Sequence, residues 1–106
     1  MPDYQKLVRD RIPHIIRAKG ESCRIRVLGL PEYRKELRAK LQEELQEYLE
    51  AADPADALEE LADMLEVIRA LALVHGSDAE QLEAIRSEKA EQRGGFTERV
   101  YLIDTD

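Results

Sequence analysis

Glu44 with Glu47, and Glu60 with Asp63, form two acidic pairs, each with members three residues apart. In a helix that spacing puts both carboxylates of a pair on one face. If two such helices fold back on each other across the short turn between them, four carboxylates meet and their repulsion demands a counter-charge. A hard divalent cation supplies it. All-oxygen donors suit Mg²⁺ or Mn²⁺, and the absence of a Cys/His cluster disfavours zinc. An ion held this way can receive phosphates, so the chemistry indicated is hydrolysis of a phosphoanhydride. A single acidic pair is ordinarily a solvated face, and neither pair is specific alone. The weight rests on two pairs in consecutive helices, the second of them unusually apolar.

Both halves need long helices, and the punctuation of the chain provides them. Gly29 and Pro31 open a segment that nothing breaks until about Ala52, with Leu37, Leu41, Leu45, Tyr48 and Leu49 forming a core stripe. Glu44 falls at the edge of that stripe, with Lys40 and Glu47 just beyond. Glu43 lies further round, where it could activate water, a role Glu47 could fill equally well. Asp53-Pro54-Ala55-Asp56 is a turn, and Pro54 starts a helix running to about His75, stopped by Gly76. Its apolar residues, Leu58, Leu61, Met64, Leu65, Val67 and Ile68 among them, cover more than one stripe, which calls for burial by the bundle and by another subunit. Glu60 and Asp63 border that apolar surface and therefore need partners.

The remaining elements are shorter. Pro13 opens a helix to about Lys19, with Gly20 as its stop, behind an arm that carries Lys6, Arg9 and Arg11. That arm is either a solvated tail or a strap for phosphate. Residues 23–28 alternate arginine with aliphatic side chains and 98–103 are β-branched and aromatic, so a two-stranded ribbon is expected there. Ser77 or Asp78 caps a last helix, Ala79 to about Arg93, that packs on the outside and ends at Gly94-Gly95. Lys89 and Arg93 share one of its faces and could reach an anion, or could simply complement the helix dipole. The fold class expected is mainly α, a helical bundle with a small β ribbon, in one domain over residues 1–106.

Charged residues at 37% and a formal net charge of −7 argue against gripping a nucleic-acid polymer, although not against a phosphate ligand. No apolar run is long enough for a bilayer, and Lys6, Arg9, Asp10 and Arg11 come too early for a signal peptide. A cytoplasmic location is the expectation, and the single Cys23 agrees with it. A chain of 106 residues gains from burying more surface between copies, so a homodimer or tetramer is expected.

Glu43-Glu44-x-x-Glu47, twelve residues, then Glu60-x-x-Asp63 resembles the signature of the MazG-like all-α nucleoside triphosphate pyrophosphohydrolases. Tyr4-x-Lys6-Leu7-Val8-Arg9-Asp10-x-Ile12-Pro13 and Lys89-x-x-x-Arg93-Gly94-Gly95-Phe96 resemble its phosphoribosyl-ATP pyrophosphohydrolase-like branch. The resemblance implies a Mg²⁺-dependent hydrolase that splits a nucleoside triphosphate between its α- and β-phosphates, in a house-cleaning role on non-canonical nucleotides. By it, Glu44, Glu47, Glu60 and Asp63 would hold metal, Glu43 or Glu47 would take the water proton, and Lys6, Arg9, Lys89 and Arg93 would hold phosphate. Two alternatives stand beside it: action on phosphoribosyl-ATP or another nucleotide anhydride, and a helical oligomerisation module without catalysis.

Overall fold

The computed structural model describes residues 5–106, and α1 (Ile12–Ala18), α2 (Leu30–Leu49), α3 (Pro54–Val74) and α4 (Ala79–Arg93) follow in that order. The packed centre is the α2–α3 hairpin, with α4 lying lightly against α3. Gly29, in extended conformation, precedes α2, and Pro31 sits in its first turn, where a missing N–H costs nothing. The helix ends at Leu49, one turn short of the expected Ala52. Asp53 explains the early stop. Its carboxylate accepts from the Asp56 N–H at 2.9 Å and so fixes the start of α3, while Pro54 occupies the first turn. Asp53→Ala should lower stability by about 1 kcal/mol, read as a lower melting temperature at fixed chain concentration.

Gly76, with φ +78, turns the chain out of α3. Asp78 then caps α4 by accepting from the Gln81 N–H at 2.8 Å. Each boundary is set by a residue within a turn of it.

The core follows a seven-residue spacing. Leu37 and Glu44 on α2 are both buried, as is Val67 on α3, seven residues beyond the half-buried Glu60. Glu44 is therefore inside the α2 stripe, not at its edge as the wheel alone suggested. Among the described residues the buried apolar side chains are Leu37, Val67 and Ala72, whereas Leu58, Leu61 and Leu65 remain open on α3. The surplus of apolar residues in α3 is thus real, and the described residues do not cover it.

The β ribbon is not seen: no strand occurs among the described residues. Arg26 instead pairs with Glu32 at the start of α2, and Val27 is exposed. Near the C-terminus Arg99 takes a positive φ and closes a turn onto the Phe96 carbonyl, leaving Val100, Tyr101 and Ile103 exposed. A two-stranded ribbon is marginal unless something covers one face. Neither segment has such cover among the described residues. Among the described residues, no helix is long and apolar enough to cross a membrane.

Candidate metal centre

The hairpin brings three glutamates together. One carboxylate oxygen each from Glu44, Glu47 and Glu60 lies within 4.8 Å of the others. Glu44 is 5% exposed, and Lys40 Nζ approaches its Oε1 at 3.5 Å. Its other oxygen, Oε2, is buried with no hydrogen-bond partner, and so is Oε2 of Glu60. Two orphaned acceptors facing one cluster are costly unless a proton or a cation serves them.

Without a cation the proton does it. Glu60 is pushed up to about 7, first by the hydrogen bond it can then make to Glu44, next by that to Glu47, and then by burial. Glu44 is raised chiefly by its burial. Ionised, neither carboxylate has a hydrogen to offer the other; a proton on Glu60 lets it donate within the cluster and relieves the repulsion among the three acids.

The cluster also suits a hard divalent ion. Opposite ligands of an octahedral Mg²⁺ stand about 4.2 Å apart, a separation that falls inside the 4.8 Å within which the three acids each offer an oxygen, and among the described residues no nitrogen or sulfur donor belongs to the cluster. Glu44, Glu47 and Glu60 can therefore hold a divalent metal.

Asp63 is placed differently. Its Oδ1 accepts from Arg9 Nη2 at 2.7 Å, and it is not one of the three converging acids. Glu43 also faces cations, with Lys40 Nζ at 3.5 Å and Lys6 Nζ at 3.9 Å. The structure thus brings Lys6 and Arg9 beside the acidic pairs. Lys89 and Arg93 are exposed on α4, and no described contact joins them to the glutamates. Tyr4 of the N-terminal motif lies outside the described residues. Lys40 is the participant that carried no role in the sequence reading. Its positions three and four residues before Glu43 and Glu44 were the available signal.

A model of the phosphoribosyl-ATP pyrophosphohydrolase family matches residues 2–90. The chain belongs to that family. The match takes in the N-terminal motif and both acidic pairs, and reaches Lys89 but not Arg93. An uncharacterized protein of Mycolicibacterium smegmatis is 56% identical over 52 residues, which are 49% of this chain and 52% of that protein. The chain thus spans about half the length of the curated relative it matches. No solved structure matches it.

Proposed function

We propose that this member of the family is a Mg²⁺-dependent nucleotide pyrophosphohydrolase, cleaving non-canonical nucleoside triphosphates at the α–β anhydride to a nucleoside monophosphate and pyrophosphate. The observation that carries the reading is the pair of buried, unpartnered oxygens on Glu44 and Glu60, with Glu47 beside them, in a chain of this family. Glu44, Glu47 and Glu60 would hold the ion, with Asp63 next to Glu60 on the same helix face. The ion, when bound, supplies positive charge against the phosphate oxygens and acidifies water. The chain's own residues do the rest. Glu43 or Glu47 accepts the proton of the attacking water, and the exposed edge of Glu47 leaves that oxygen reachable from solvent. Lys6 and Arg9, already beside the acids, hold the phosphate tail and steady the pyrophosphate as it leaves. Lys89 and Arg93 would join them from α4.

A second reading, action on phosphoribosyl-ATP, draws on the description of the family itself. The same anhydride chemistry serves both. Incubating the protein with Mg²⁺ and a panel of standard and modified nucleoside triphosphates, with phosphoribosyl-ATP alongside, separates them by which member yields pyrophosphate. Silence across the panel would sink the proposal and leave the helical oligomerisation module.

The working unit is a homo-oligomer in a soluble, cytoplasmic setting. A compact monomer of this mass exposes about 6,100 Å², whereas this chain exposes 9783 Å². Its radius of gyration of 18.0 Å also exceeds the roughly 13 Å of a compact chain of this length. Obligate interfaces bury on the order of 1,000–2,500 Å² per partner, so about two contacts between copies, towards the larger end of that range, would take up the excess. Sedimentation at micromolar concentration should give a dimer or tetramer; a lone 12 kDa-class monomer of roughly this mass would refute it.

A further inference from the structure

Arg9 and Asp63 are 54 positions apart in the chain, yet their side chains are joined at 2.7 Å. Asp63 shares a helix face with Glu60, so the acid adjoining the glutamate cluster is already served by a cation of the chain itself. We infer that Arg9 is a displaceable stand-in: a divalent ion entering among Glu44, Glu47 and Glu60 draws Asp63 away from Arg9, and the released guanidinium turns to the anionic ligand. This inference rests on the cation reading of the site given above.

Three features carry it. First, the pair is exposed, 57% at Arg9 and 40% at Asp63, and an exposed ion pair holds weakly enough for a divalent ion to outcompete it. By contrast, the glutamates have two buried oxygens that nothing serves. The stronger demand for charge is at the cluster, and the weaker bond is next to it. Second, Asp63 is one of two described ties between the arm and the hairpin, Lys6 to Glu43 being the other. The Ile12 N–H donates to the Arg9 carbonyl at 3.1 Å, which anchors Arg9 to the start of α1, and Lys6 reaches Glu43 on α2. Its guanidinium can change partner while its backbone stays. Third, the forked, permanently charged guanidinium that fits a carboxylate also fits a phosphate, so release hands Arg9 from one oxyanion to another of similar geometry.

The test titrates Mn²⁺ calorimetrically into nucleotide-free protein. Arg9→Gln should tighten Mn²⁺ binding about two- to fivefold, the range set by losing competition from an exposed ion pair. Arg11→Gln removes an equal charge from the same arm and should have a clearly smaller effect. Equal effects of the two variants, or no tightening in Arg9→Gln, would overturn the inference. Trypsin supplies an independent readout, because cutting after Arg9 requires that side chain to leave Asp63 and enter the protease. Mn²⁺ should accelerate this cut in the wild-type chain and not in Glu44→Gln, with a peptide substrate controlling for effects on trypsin. An unchanged rate in the wild type counts against Arg9. If the wild type takes up no Mn²⁺, the cation reading itself falls; if it binds Mn²⁺ and neither readout moves, only the role of Arg9 does.

Discussion

Glu44→Gln should reduce pyrophosphate release by more than about 100-fold, since even partners one shell removed from a metal cost 10–100-fold when changed. Calorimetry should show Mg²⁺ or Mn²⁺ affinity falling with it. The fold should survive, and in the absence of metal its melting temperature should rise. The buried carboxylate at this position faces Glu47 and Glu60 and has one oxygen without a partner. Glutamine keeps the shape, removes the repulsion and offers an N–H to the orphaned oxygen of Glu60. Lys40 loses one neighbour but keeps Glu43 at 3.5 Å. Opposite movements of activity and stability are the mark of a site whose residues are there for a ligand. A purely structural role for Glu44 predicts instead unchanged metal affinity and a loss of stability.

The second large effect is on pH dependence. In the metal-free protein Glu60 titrates at about 7, well above an ordinary glutamate. Between the unfolded value near 4.3 and about 7 the folded chain keeps a proton that the unfolded chain has released, so stability declines as pH rises. The contribution is complete below the unfolded value and gone once the pH has passed through about 7. Melting curves at pH 5 and pH 8 should therefore rank the metal-free protein as more stable in acid, after allowing for the other carboxylates by comparison with Glu60→Gln, in which the decline should flatten. With Mg²⁺ the ranking should reverse. A cation competes with that proton, so its affinity should rise towards and through pH 7 and its binding should release protons to the buffer. A pH-independent metal affinity from 5 to 8 would contradict this.

The helices were legible because their limits are local. Pro31, Pro54, Gly76 and Gly94 act on the backbone within a turn of where they stand, and Asp78 caps from the adjoining position. The convergence of Glu44, Glu47 and Glu60 was legible too, since two helices joined by a short turn must pack antiparallel. What the pattern could not convey depended on distant choices. Asp63 has the right spacing from Glu60 to join the cluster, but Arg9, remote in sequence, offers it a direct bond. Lys40 was visible as a neighbour and not as a partner, because a long side chain can lean towards several acids. The ribbon failed for a related reason. Alternation in residues 23–28 and β-branching in 98–103 describe what each segment could do if covered, and neither finds cover among the described residues.

If copies of the chain cover the open leucines of α3, as proposed above, durability becomes a collective property. With Leu58, Leu61 and Leu65 awaiting neighbours, association and folding draw on the same free energy, so each dilution should lower the temperature at which the hairpin comes apart. A newly made chain would then be most vulnerable to proteases and to aggregation before it meets its first sister, and the abundance of the protein in the cell would help decide how much of it survives.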